Sequence, residues 1–309
     1  MSAHTSSKTL RILAVALAFI LSPRALLAAD ELTIDHQATA RQYLLHRSSS
    51  AGDSPRPLVV YLHGLRPADW KNHTRSEIDA AADREGFVAA YPAALERRWN
   101  LTGQIDEPVR IQGNVVDDVG FIGKLMDELV GRKIADPARI YVIGDSRGGM
   151  MTFELMCRMA DRIAAAGPLI TGMTDRLRDA CKPAPPVPVL AVAGRNDNIQ
   201  AYDGWLSEVR RLLSIPETME YWRVQHGCTG QTRRLLPHRN QADTTRLALV
   251  EWTGCKTPNA VKLYVALGGG HQVPSFTPVP ADWVRQAGPQ NQDIETIDEF
   301  WKFAKQFSR

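Results

Sequence analysis

The stretch Arg139-Ile140-Tyr141-Val142-Ile143-Gly144-Asp145-Ser146-Arg147-Gly148-Gly149-Met150 decides the fold. Its first half is a short apolar run of the length of a buried strand. Its second half opens a helix-like stretch over residues 150–159. Between them, the order glycine, any residue, serine, any residue, glycine puts Ser146 on a tight strand-to-helix turn. Glycines on either side let the two backbones approach closely. A bare match to this pattern arises often by chance; the strand before it and the helix after it give it weight.

Working outward, residues 58–62, 188–192 and 260–266 are further short apolar runs, as are residues 139–143. Their apolar character is continuous rather than alternating, which suits strands buried on both faces of a parallel sheet. Phe121, Ile122, Leu125, Met126 and Leu129 recur at helical spacing, and Asp117 and Asp118 stand where a carboxylate can cap the first amides. Strands alternating with helices predict a doubly wound α/β architecture in one domain over residues 30–309. The proline-rich stretch 182–188 leads straight into a strand and reads as a rigid loop. The polar, patternless residues 233–246 read as an exposed loop, and there are no internal repeats.

Residues 1–29 read as an export signal to be removed. Lys8 and Arg11 precede an apolar run over residues 12–21, followed by Leu27-Ala28-Ala29. That run is about half the roughly 20 residues a membrane span needs, so stable membrane insertion is not expected. The formal net charge is +3, and the segment carries Lys8, Arg11 and Arg24 with no acidic residue. The remainder is therefore close to neutral, which argues against nucleic acid as a partner. With 44% hydrophobic residues the chain can bury a large core. Cys157, Cys181, Cys228 and Cys255 form an even set in an exported chain, which favours disulfides, and three pairings are possible. Cys157–Cys181 with Cys228–Cys255 closes the two shorter loops and is preferred. No Cys-x-x-Cys pair or histidine cluster suggests a metal, and no cofactor is expected.

A serine hydroxyl is a weak nucleophile until a neighbouring base takes its proton. In this architecture serine, acid and histidine follow in that chain order. Of the histidines after Ser146, His238 lies in the patternless stretch and His226 sits beside Cys228. His271 follows a strand and Gly268-Gly269-Gly270, in what reads as a mobile loop at a strand's C-terminal end, where open α/β sheets place their sites. It is the preferred base. Among Asp161, Asp175, Asp179, Asp197, Asp203 and Asp243, Asp197 alone comes shortly after a core strand and is the preferred acid. The amides of Arg147 and of Leu65, in His63-Gly64-Leu65, are the expected oxyanion donors. His63 reads as a loop-stabilising residue rather than a base. Trp99 and Gln272 are candidates for the pocket wall.

On these residues the chain resembles the polyhydroxybutyrate depolymerase-like esterases, a secreted α/β-hydrolase group that includes feruloyl esterases. The resemblance runs over residues 41–303. It rests on the strand and His-Gly turn ending at Gly64, Trp99-Asn100, Asp117-Asp118-Val119-Gly120-Phe121 and the Ser146 turn followed by Gly-Gly-Met-Met. It continues through the four cysteines, the Asp197 loop and Gly268-Gly269-Gly270-His271. It implies the α/β-hydrolase fold, a triad of Ser146, Asp197 and His271, and the disulfide pairing preferred above. The chain departs from that pattern in Gln272-Val273-Pro274, where a Trp-Pro pair is common after the histidine. It also departs in the acid loop Ala193-Gly194-Arg195-Asn196-Asp197, and in charged Asp145 and Arg147 beside the serine.

The resulting expectation is a secreted or periplasmic serine esterase acting on small or oligomeric esters, of the hydroxyalkanoate or the feruloyl and acetyl polysaccharide kind. The alternative is a non-catalytic carbohydrate- or polymer-binding protein on the same scaffold, with its tryptophans as stacking surfaces. A Gly-Asp-Ser lipase is disfavoured, because that signature belongs near a mature N-terminus.

Overall fold

The structure is a computed structural model and describes residues 30–48, 54–65, 73–104, 106–207 and 210–309. The expected export signal lies outside the described residues. The described chain opens with the hairpin β1 (Asp30–His36) and β2 (Thr39–Arg47), then β3 (Arg56–Leu62). Helix α1 (His73–Glu85) leads to β4 (Val88–Pro92). A small hairpin, β5 (Arg110–Ile111) with β6 (Asn114–Val115), precedes α2 (Asp118–Gly131). Next come β7 (Ala135–Asp145), α3 (Arg147–Arg158), β8 (Ala165–Leu169), α4 (Asp175–Ala180) and β9 (Val189–Gly194). A second small hairpin, β10 (Trp205–Ser207) and β11 (Arg210–Leu212), precedes α5 (Ile215–Gln225). The chain closes with β12 (Gly230–Leu235), β13 (Arg246–Thr253), β14 (Val261–Leu267), α6 (Ala281–Ala287) and α7 (Thr296–Ala304).

One ten-stranded sheet has the order β1-β2-β4-β3-β7-β8-β9-β14-β13-β12. Strands β4 through β14 in that order are parallel, and antiparallel pairs finish both sides. Alternate residues of the central strands feed two separate cores. Leu58, Val60 and Leu62 of β3 join Phe121, Leu125, Met126 and Phe153 of α2 and α3 on one face. Val59 and Tyr61 join Ile78 of α1 and Phe300 and Trp301 of α7 on the other. Both faces being covered is the reason these strands are apolar at every position. Asp117 caps α2 by accepting from the Gly120 amide at 2.9 Å. Asp118 is buried instead, accepting from Arg41 at 2.6 Å and from the Asn100 amide at 2.8 Å. Burial pushes its carboxyl above the ordinary range, against the pull of Arg41.

Residues 233–235, read from sequence as part of a loop, belong to β12, and the loop begins only after Leu235. All six β12 residues are exposed, so no buried face leaves a period in the sequence. The Cys157–Cys181 and Cys228–Cys255 disulfides are both formed, at sequence separations of 24 and 27. The second ties the end of α5 to the β13–β14 turn. A Cys228→Ser, Cys255→Ser double variant is expected to lose about 3–4 kcal/mol, read as a Tm lower by about 10 °C in thermal unfolding. Among the described residues no helix is long and apolar enough to cross a membrane.

Candidate active site

Parallel strands β3, β7, β9 and β14 end on the same side of the sheet, so the residues just beyond them meet there although they are far apart in sequence. Ser146 sits between β7 and α3 with φ 52° and ψ −118°. Holding a non-glycine residue in such a conformation costs about 1–3 kcal/mol. The strain is held from both sides. The Ser146 amide donates to Leu169 O of β8 at 2.9 Å, and its carbonyl accepts from the Met150 amide at 3.0 Å. Gly148 is required here, because a Cβ at that position would lie 1.9 Å from the Leu62 carbonyl oxygen.

Ser146 Oγ lies 2.9 Å from His271 Nε2, and His271 Nδ1 lies 2.7 Å from Asp197 Oδ2. His271 and Asp197 are both buried. The second carboxylate oxygen, Oδ1, accepts the amides of Ile199 and Gln200, each at 2.8 Å. An ionised carboxylate only accepts, so Nδ1 carries the imidazole proton and Nε2 is free to accept from the serine. The loop holding His271 is not loose, in contrast to the sequence expectation. The His271 amide donates to Ala287 O at 2.6 Å, Gly270 N to Pro289 O at 2.8 Å, and Asn196 N to Gly269 O at 2.8 Å. A Cβ on Gly270 would fall 2.1 Å from Ala287 O, so glycine is what lets this loop press against residues 287–289.

The turn after β3 lies over the serine: a Cβ on Gly64 would stand 3.4 Å from Ser146 Cβ. The following Leu65 is 52% exposed. His63 is buried behind it, with Nδ1 donating to Gly64 O at 2.6 Å and Nε2 accepting the Ala94 amide at 3.0 Å. Both ring nitrogens are committed to backbone, as a loop-holding histidine requires.

Trp99 corrects the sequence expectation. It is fully buried beneath the site, packed on the His63 ring at 5.1 Å, and its Nε1 donates to His63 O at 2.9 Å. Of the two places open to it from sequence, pocket wall or core, it takes the core, and its indole is consumed in supporting the turn. Its carbonyl in turn accepts Arg147 Nε and Nη2 at 2.9 and 2.8 Å, and Arg147 Nη1 reaches Asp106 Oδ1 at 3.1 Å. Burial alone would raise the Asp106 carboxyl, but Arg147 and Arg98 outweigh it and hold it below the ordinary range. The Arg147 side chain therefore braces both segments expected to supply oxyanion amides, its own and, through Trp99, the His63-Gly64-Leu65 turn. Arg147→Met is expected to lower kcat about tenfold with KM little changed, below the loss of a whole oxyanion donor. Arg147→Lys, which keeps one donor toward Trp99 O, should recover part of it. Steady-state kinetics on a soluble ester reads both.

Beside Ser146 opens a cavity of about 490 Å³, lined by Leu65, Ile199, His271, Gln272 and Trp283 among others. Gln272 is in its wall, with Oε1 accepting from Trp283 Nε1 at 2.9 Å. Trp283, Glu77 and Ser275 line it too. Glu77 and Ser275 come from segments with no local signature and were missed by sequence reasoning, and Trp283 figured there only among the tryptophans of the binding alternative. Of the other tryptophans, Trp222, Trp252 and Trp301 are buried in the cores, Trp205 is half-buried, and Trp70 lies outside the described residues.

His238, Asp243 and Asp293 stand close enough to share a cation. Their carboxylates are already engaged by protein donors. Asp293 Oδ1 accepts from His238 Nδ1 and the Arg239 amide, at 3.0 and 2.9 Å. Asp243 Oδ1 accepts from Thr245 N and Oγ1, and Oδ2 from the Gln292 amide. The cluster reads as a tie between the β12–β13 loop and residues 291–293.

No protein-family profile matches the chain. It is 28% identical over 235 residues, 72% of its length, to feruloyl esterase B of Piromyces equi, covering 41% of that protein. It is 26% identical over 260 residues, 82% of its length, to the bifunctional acetylxylan esterase/xylanase XynS20E of Neocallimastix patriciarum, covering 31% of that protein. The chain thus spans less than half the length of these curated relatives. Among solved structures, an acetyl xylan esterase from Aspergillus awamori superposes with a TM-score of 0.55 at 13% identity, over 89% of this chain and 98% of that one. The chain has the α/β-hydrolase fold and is a sequence relative of feruloyl and acetylxylan esterases.

Proposed function

We propose that this chain is an exported serine carboxylic-ester hydrolase working through Ser146, His271 and Asp197. The observation that carries the reading is the continuous line of contacts from Asp197 Oδ2 through His271 to Ser146 Oγ, at 2.7 and 2.9 Å, opening on a cavity. Ser146 Oγ attacks the ester carbonyl while His271 Nε2 takes its proton. The amides of Leu65 and Arg147 hold the oxyanion, and the imidazolium then gives its proton to the leaving alcohol. Water, deprotonated by His271, attacks the acyl-serine and returns the enzyme and a carboxylic acid. The substrates are small or oligomeric esters. The names of the relatives favour feruloyl or acetyl esters of polysaccharides over hydroxyalkanoates. Two disulfides support function outside a reducing compartment. The rival, a tryptophan-lined binding surface, draws little support from indoles that are mostly buried.

The test is to incubate the protein with a fluorophosphonate and digest it. A single phosphonyl adduct on the peptide holding Ser146, with loss of methyl ferulate or nitrophenyl acetate turnover, is expected. An unmodified Ser146 together with no turnover of any ester would return the weight to a binding protein.

A further inference from the structure

The cavity wall carries an arrangement the hydrolytic step does not need. Ser275 Oγ lies 2.6 Å from Glu77 Oε1 and 2.9 Å from Glu295 Oε2, and it accepts the Thr277 amide at 3.0 Å. Glu77 and Ser275 line the cavity together with Asp145 and Asp282. Among the described residues that line it there is no lysine or arginine. A hydroxyl has one proton to give. Two carboxylates on one serine oxygen are therefore both hydrogen-bonded only when one of them brings a proton of its own. Glu77, Asp145 and Asp282 line the space beside the nucleophile, and Glu295 stands behind Ser275, joined to Glu77 through its hydroxyl.

Resting on the esterase reading above, we infer that the Glu77–Ser275–Glu295 cluster is a charge filter. The cavity accepts esters whose non-reacting part is neutral and turns away those bearing a carboxylate. A negative group on the substrate would be brought into a partly desolvated space beside like charges, where Coulombic repulsion is felt more strongly than in water. Uncharged aromatic or acetyl esters pass this filter, whereas hydroxyalkanoate oligomers ending in a free acid do not.

The filter is also set by pH. Burial pushes the Glu295 carboxyl up to about 7, helped by the nearby Glu77 and, more weakly, Asp298. Ser275 Oγ and the Phe276 amide, which contact its carboxylate, oppose that shift. The charged groups acting on it are Glu77 from α1 and Asp298 of α7, which is paired with Arg84. As pH rises through that value the pair loses its shared proton and gains one negative charge, so rejection of anionic esters sharpens. The ratio of two substrates' kcat/KM on one preparation cancels any pH effect common to both substrates and the fraction of active protein.

The experiment compares nitrophenyl butyrate with nitrophenyl hemisuccinate, which replaces the terminal methyl by a carboxylate, at pH 6 and pH 8. The neutral-to-anionic ratio is expected to rise about fivefold across that range, the size of one Coulombic interaction through a partly solvated cavity. Glu295→Gln should flatten the rise, and Glu77→Gln should lower the ratio at both pH values. A ratio that is the same at both pH values and unmoved by either variant overturns the filter while leaving the esterase standing. No turnover of either ester overturns the esterase reading and the filter with it.

Discussion

Ser146→Ala is expected to lower kcat for a small activated ester by about 10⁵- to 10⁶-fold, the scale on which serine nucleophiles of this design fail when removed. The hydroxyl is the atom proposed to form the acyl bond, with His271 Nε2 at 2.9 Å from it. What survives should be the small rate that oriented amides give to attack by water. Ser146 is half-buried and its backbone is pinned through Leu169 and Met150, so alanine keeps the turn. Stopped activity with an unshifted Tm would place the loss in chemistry. Turnover retained within tenfold would mean that Ser146 is not the nucleophile.

Asp197→Asn should lower kcat by about 10⁴-fold, and the hydrogen bonds give the reason. The amides of Ile199 and Gln200 both point at Oδ1, so the asparagine oxygen keeps that place. Its NH₂ then faces His271 Nδ1, where a carboxylate oxygen had accepted at 2.7 Å. A donor there forces the imidazole into the tautomer with its proton on Nε2, which can no longer accept from Ser146. Shape is preserved and the base is lost. Stopped-flow or long-time assays, with the Ser146→Ala rate subtracted as background, measure the residual. A drop of only a fewfold would move the acid to another residue.

The central strands were legible because burial on both faces leaves an unbroken apolar run, as in residues 58–62 and 188–192. Strand β8 was not, since its sequence Ala-Ala-Gly-Pro-Leu is small-residue packing with no β-branched signal. Hairpin β1–β2 and strand β12 lie at or near the sheet margins, where tertiary pairing decides and periodicity does not. The contact among Ser146, Asp197 and His271 could be anticipated because each follows a strand and parallel strands end together. The cavity wall could not. Glu77, Ser275 and Trp283 stand in a helix, a loop and another helix, and only the three-dimensional chain brings them to one space. Trp99 misled for the opposite reason: its place in the sequence says nothing about which way its indole faces, and it turns into the core.

The exposed strand β12 sets how the molecule behaves in a crowd. It is the last of the ten strands, so the outward row of its amides and carbonyls has no neighbouring strand among the described residues. An open row of this kind is a template on which a second molecule can zip. Here the row runs through Gly230-Gln231-Thr232-Arg233-Arg234-Leu235, with no alternation of apolar residues to reward a partner. Two copies meeting edge to edge in antiparallel fashion would bring their paired arginines together before the backbone could engage. Arg233 and Arg234 thus disfavour edge-to-edge pairing of copies along this margin.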